Sequence, residues 1–289
     1  MQKWLRCYAP FDNIFNFGNN FQVENFLMRL LTAFCATLLG LLAAPPAHAG
    51  NAHDNAVIFG DSIVADPLVS EVIAGRLSSQ PHCPHSPISY AEIAAKRLSL
   101  ESRNFSCAGA QVHMGGPFLK TSFIAQIDTA IATGALDTHT RRVWITQGFN
   151  DAWSGHPAAQ VVATMGEVIG RIRAHAPNAR IQIVGYPQIT HQGQLCLVWL
   201  PGQPAWPIAA AVIAAWEDQA LFIQREVAAA TGSELIDVRA ATADHSMCAP
   251  DEQRYISSVV DVAGAPTHLP AHVNERGHQG IADLIVRMR

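Results

Sequence analysis

An α/β domain with a parallel sheet wrapped on both faces is the fold the sequence predicts, and three observations predict it. Five short runs rich in β-branched or aromatic residues each end in turn residues, as strands do. Segments with apolar residues at helical spacing lie between them. Alternation of strands with helices builds a parallel sheet, because parallel neighbours need a crossover connection and a helix supplies it. The 289 residues, 49% hydrophobic and 15% charged, are enough to bury the core of one such domain.

The first strand is Val57-Ile58-Phe59, an apolar run that stops at Gly60-Asp61-Ser62. Next, residues 102–106 lead into Cys107-Ala108-Gly109-Ala110, and residues 142–147 end at Gly148-Phe149-Asn150-Asp151. Residues 179–185 end at Tyr186-Pro187, and residues 234–238 are the last run. Helices are predicted over 90–98, over 158–175 with Val161, Val162, Met165, Val168, Ile169 and Ile172 apolar, over 208–230, and over 275–288 with Ile281, Leu284 and Ile285 on one face. Residues 188–207, with Trp199 and Trp206 among glycines and prolines, read as a long loop of the kind that walls a substrate site. No internal repeat or low-complexity linker divides the chain.

Ahead of the first strand, Met28-Arg29 precedes the apolar run from Leu30 to Ala44, then Pro45-Pro46 and Ala47-His48-Ala49. This is the pattern of a secretory signal peptide with cleavage after Ala49, and Met28 is a candidate start. The domain organisation expected is a signal region over 1–49 and one catalytic domain over 50–289. The apolar run is shorter than the ~20 residues a membrane span needs. Formal net charge is −4, so the chain carries no basic footprint for nucleic acid.

Export places Cys83, Cys107, Cys196 and Cys248 in an oxidising compartment, where two disulfides are expected. Four cysteines allow three pairings; the local one, Cys83 with Cys107 and Cys196 with Cys248, leaves each bridge stapling a loop beside the suspected site. A zinc site around His82-Cys83-Pro84-His85 lacks a Cys-x-x-Cys pair and a matching second half.

Chemistry converges on the strand ends. Open α/β sheets place their sites beyond the carboxyl ends of the strands, where Ser62 follows a glycine that permits a tight turn and an aspartate that holds backbone amides. A serine hydroxyl is a weak nucleophile and needs a base. Of the 13 histidines, His272 lies in the loop before the last helix, with Asn274 as its N-cap, whereas His278 falls inside that helix and reads as packed or solvated. An oxyanion needs preorganised donors, and the Gly109 N–H and Asn150 side chain stand at two further strand ends.

These four blocks, Gly60-Asp61-Ser62, Cys107-Ala108-Gly109-Ala110, Gly148-Phe149-Asn150-Asp151 and His272-Val273-Asn274-Glu275-Arg276-Gly277-His278, resemble those of the SGNH (GDSL) hydrolase family over residues 55–289. The Cys-x-Gly-Ala block, the Gly185-Tyr186-Pro187 turn and the loop cysteines are similar to its secreted actinobacterial esterase and lipase branch. The resemblance implies a flavodoxin-like three-layer α/β/α fold with a five-stranded parallel sheet. It implies Ser62 as nucleophile, His272 as base, and an oxyanion hole from the Ser62 and Gly109 N–H groups and Asn150. The reaction implied is hydrolysis of a small-molecule or lipid carboxylic ester through an acyl-enzyme, with no metal or cofactor, by a monomer in transient contact with lipid surfaces. Deacetylation of a polysaccharide and non-catalytic extracellular binding on the same scaffold are the alternatives.

The chain departs from the family at two points. Leu269 stands three residues before His272, where an aspartate is usual, so the histidine-orienting group is expected to be the Leu269 main-chain carbonyl or the Asp261 carboxylate. The branch commonly carries three disulfides and this chain has cysteines for two; the short loop from Asp151 to Pro157 has none, which implies a more open cleft there.

Overall fold

The computed structural model describes residues 53–79, 82–116, 119–201 and 206–288. The expected signal peptide and the start at Met28 lie outside the described residues. Strand β1 (Asn55–Gly60) is buried along its whole length, and its parallel neighbours are β2 (Glu101–Asn104) and β3 (Thr140–Thr146). With β4 (Arg180–Val184) and β5 (Glu234–Ile236), the sheet runs β2-β1-β3-β4-β5 with every pair parallel. This is the flavodoxin-like order, in which the connections diverge between β1 and β3 and leave a crevice at their carboxyl ends.

Side chains alternate across the sheet and so divide the core into two layers. Ile58, Trp144, Val184 and Ile236 pack against α3 (Tyr90–Arg97) and α8 (Glu275–Arg287), through Tyr90, Ala94, Ile281 and Ile285. Val57, Phe59, Val143, Ile145 and Ile183 pack against α4 (Phe123–Ala132), α6 (Ala158–His175) and α7 (Ala211–Thr231), through Phe123, Ile127, Met165, Ile169, Ile223 and Val227. Each fully buried aliphatic or aromatic side chain contributes about 1.5–3 kcal/mol, so both layers stabilise the sheet beneath the site. The one indole in the sheet's core, Trp144, donates its N–H to Gln182 Oε1 at 2.9 Å, which satisfies both groups.

Three boundaries differ from expectation. Helix α7 starts at Ala211 rather than 208, because Pro207–Ala209 pairs antiparallel with Gln194–Cys196. The segment read as one loop over 188–207 therefore holds two short strands, Gln194–Cys196 and Val198–Trp199, the second of which pairs with Val260–Asp261. The last strand stops at Ile236 because Asp237 caps a short helix, accepting from the Ala240 N–H at 3.0 Å. Helix α4 and helix α2 (Val69–Leu77) are additions to the predicted set.

Both local disulfides are formed, Cys83–Cys107 and Cys196–Cys248. The first fastens the segment before α3 to the loop after β2; the second fastens the 194–199 strands to the loop at 243–249. Among the described residues no helix is long and apolar enough to cross a membrane.

Candidate active site

Ser62 is the first residue of α1 (Ser62–Ala65), directly after β1. The turn between them is tight: a Cβ on Gly60, whose φ is +150°, would lie 2.4 Å from the Thr146 carbonyl oxygen, so only glycine lets β1 and β3 close up here. Asp61 caps the helix, accepting from the Ile63 N–H at 3.0 Å. Buried Gln126 clamps the same turn, accepting from the Gly60 N–H at 2.9 Å and donating to the Gly60 carbonyl at 2.8 Å. Neither Gln126 nor its helix was visible as part of a motif.

The loop after β2 brings Gly109 to the same edge with φ of +82°, a left-handed conformation that glycine takes without strain. Among the described residues, the N–H groups of Ser62 and Gly109 have no hydrogen-bond acceptor. Helix α5 (Phe149–Trp153) presents Asn150, whose NH2 donates to the Ala110 carbonyl at 3.0 Å and reaches Asp61 Oδ2 at 3.3 Å. Buried Asp151 ties these loops together, accepting from the Val112 N–H at 3.0 Å and from Gln147 Nε2 at 3.2 Å.

Beneath Asn150, Tyr186 donates its hydroxyl to Asp61 Oδ2 at 2.6 Å and accepts from the Phe149 N–H at 3.2 Å. Burial pushes the Asp61 carboxyl up to about 7, against the pull of the Tyr186 hydroxyl and the Ile63 N–H toward ionisation. Tyr186 was read from the sequence only as a turn residue.

His272 completes the group. Its Nε2 lies 2.8 Å from Ser62 Oγ, and its Nδ1 lies 2.8 Å from the Pro270 carbonyl. A carbonyl only accepts, so Nδ1 carries the proton, and the Nε2 lone pair faces the serine hydroxyl. Burial lowers the imidazole pKa below its ordinary value, opposed by the bond to Pro270 and the charge of Asp66. A base kept neutral at neutral pH is the form that takes a proton from serine.

The group that orients His272 corrects both expectations. The Leu269 carbonyl is taken up by the Thr267 hydroxyl at 2.8 Å, with the Ser257 hydroxyl at 3.3 Å. Ala271, with φ of +57°, turns the chain so that the carbonyl one residue later, that of Pro270, meets the ring. Asp261 faces elsewhere: both its oxygens are bound to the Arg254 guanidinium, and the Ser258 and Gly264 N–H groups add bonds at 2.9 and 3.0 Å. Although burial pushes its carboxyl up, these partners hold it at about 2.

A cleft of about 640 Å³ opens over Ser62, Gly109, Asn150 and His272. Its walls are apolar: Val69, Val72 and Ile73 of α2, Ala108, Leu269 and Trp153. Trp153 is 62% exposed at the rim and stacks on Trp216, with ring centroids 5.8 Å apart.

Comparison with known proteins bears on this arrangement. The family model described as GDSL-like Lipase/Acylhydrolase matches residues 58–279. No curated protein matches the chain. Among solved structures, phospholipase A1 from Streptomyces albidoflavus NA297 is similar with a TM-score of 0.53 at 19% identity, over 82% of this chain and 99% of that one. The extracellular lipase of Streptomyces rimosus gives 0.53 at 19% identity, over 81% and 98%. A carbohydrate esterase family 2 enzyme from Corynascus thermopiles gives 0.51 at 13% identity, over 85% and 67%. At such identities the likeness is one of fold.

Proposed function

Since the chain belongs to the GDSL-like lipase/acylhydrolase family, and is on that ground a carboxylic ester hydrolase, we propose that it is a secreted serine esterase or lipase working through an acyl-enzyme at Ser62. The observation that carries this reading is the Ser62 Oγ to His272 Nε2 contact of 2.8 Å, with the opposite ring nitrogen engaged by a carbonyl. As Oγ attacks the ester carbonyl carbon, its proton passes to Nε2. The carbonyl oxygen takes the negative charge and is met by the Ser62 and Gly109 N–H groups and the Asn150 NH2, donors that commonly lower the barrier by ~3 kcal/mol each. One Asn150 N–H is held by the Ala110 carbonyl at 3.0 Å, and the other, whose 3.3 Å reach to Asp61 is a long bond, is the one to exchange for the oxyanion. Collapse expels the alcohol, which takes the proton from His272. Water, giving its proton to the same nitrogen, then releases the acid. The scheme calls for no metal or cofactor.

The apolar walls of the cleft favour an acyl chain over a sugar, which supports an aliphatic ester as substrate. Leu68, Val69, Ile73, Leu77 and Trp153 form an exposed apolar rim beside it, suited to brief contact of the monomer with a lipid surface. Two disulfides support secretion of the domain over 50–289.

Hydrolysis of p-nitrophenyl esters from acetyl to palmitoyl, with a phospholipid and an acetylated sugar alongside, tests the reading against the Ser62→Ala variant. Turnover that rises beyond acetate and vanishes in the variant is expected. Equal rates in the two proteins would replace the enzyme with a binding protein, and preference for the acetylated sugar would replace the esterase with a polysaccharide deacetylase.

A further inference from the structure

The histidine loop is fastened to the serine helix at Asp66, a buried residue that no motif contains. Asp66 follows α1, and its N–H donates to the Ser62 carbonyl at 2.9 Å, so it is bonded to the nucleophile's own main chain. Its side chain is 3% exposed. Across from it, His268 Nδ1 lies 2.9 Å from the Asp66 carbonyl and 3.0 Å from Asp66 Oδ2. Both oxygens are acceptors, so Nδ1 of His268 carries a proton. From α8, His278 Nε2 lies 3.2 Å from the same Oδ2. The Tyr90 N–H donates to His278 Nδ1 at 3.1 Å, which leaves the His278 proton on Nε2, near the carboxylate but out of hydrogen-bond geometry with it.

Backbone conformation points the same way. Asp66 sits at φ +46° and ψ +46°, where a residue with a Cβ costs ~1 kcal/mol or more relative to glycine. A carboxylate held in that conformation, buried and within 3.0 and 3.2 Å of two imidazole nitrogens while its Oδ1 has no hydrogen-bond partner among the described residues, is placed for its charge. His268 in turn begins the His268-Leu269-Pro270-Ala271-His272 segment, which carries both the orienting carbonyl and the base.

We propose that Asp66 is a positioning residue for His272: its carbonyl pins the histidine loop to the serine helix through His268, and its carboxylate supplies from the end of α1 the negative charge missing three residues before His272. Imidazolium forms at His272 during catalysis, and a carbonyl stabilises it less than a carboxylate does. Asp66 adds the charge while Pro270 sets the ring. The charged and titratable groups facing this corner are Asp66 from the end of α1, His268 from the loop, and His278 and Glu275 from α8.

The inference rests on the esterase reading, and wild type with Ser62→Ala tests that reading separately. Asp66→Asn keeps shape and tolerates the left-handed conformation while removing the charge. Expected in this variant is a kcat about tenfold lower with KM little changed, and an acid limb of kcat/KM moved to lower pH, because a charge that favours protonated His272 is gone. His268→Gln, at a half-exposed site, should lower kcat as well while leaving the limb nearer the wild-type pH. A wild-type kcat and limb in Asp66→Asn would overturn the proposal, as would a lowered kcat with an unmoved limb, which marks a structural role alone. If Asp66→Asn does not fold, His268→Gln decides, and a wild-type kcat there overturns it.

Discussion

At both His272 and Asp61 burial favours the neutral form, lowering the imidazole and raising the carboxyl. Burial holds His272 below its ordinary pKa, so the imidazole remains neutral further into acid, and with His272 as the proposed base the acid limb of kcat/KM should have its midpoint below 6.5 in a pH series on a soluble ester. Asp61 is raised to about 7 and so binds its proton more tightly folded than unfolded. That contribution favours the fold in acid and is lost as pH rises from about 4 toward 7. Asp61→Asn, which never ionises, should therefore gain in Tm relative to wild type between pH 5 and pH 8; a constant gap would contradict the raised carboxyl. That Ser62, Gly109, Asn150 and His272 meet in one cleft was legible in the sequence because each follows a strand end or precedes a helix. Gln126, Tyr186, Asp66 and the Pro270 carbonyl were not, since they act by tertiary contact or through main chain that every residue shares.

At the scale of elements, the five strands and α3, α6 and α8 follow from local pattern alone. Helix α6 begins and ends where its apolar spacing does. Helix α4 escaped because Ile124, Ile127, Thr129 and Ile131 are β-branched and lean toward strand, while the Ser122 cap, accepting from the Ala125 N–H at 3.1 Å, is a short-range signal that one residue carries. The small strands at 194–199 and 207–209 exist by pairing with distant partners, which local propensity does not register. The β1–α1 turn is the element with the least tolerance. Gly60→Ala should destabilise by about 3 kcal/mol or more in urea unfolding, because its Cβ meets backbone rather than a movable side chain.

Across the whole molecule, the loops above the sheet are held covalently where the helices do not reach. Cys83–Cys107 and Cys196–Cys248 close loops with separations of 24 and 52 residues, each worth about 3–4 kcal/mol by loop entropy. Reduction under native conditions should lower Tm and, through the Cys107-Ala108-Gly109 segment, cut turnover before the sheet unfolds; activity tracked against far-UV circular dichroism checks the order of events. The Pro270 carbonyl carries a consequence of another kind. Any amino acid at position 270 offers the same oxygen, so an alanine scan would pass over the partner of His272 and score the site as a dyad. Its contribution is open to protein chemistry that edits the backbone, such as an ester in place of the 270–271 amide, and closed to codon changes. Changes of side chain at 270 should therefore leave this contact in place, whereas changes to the length or turn of the loop should remove it.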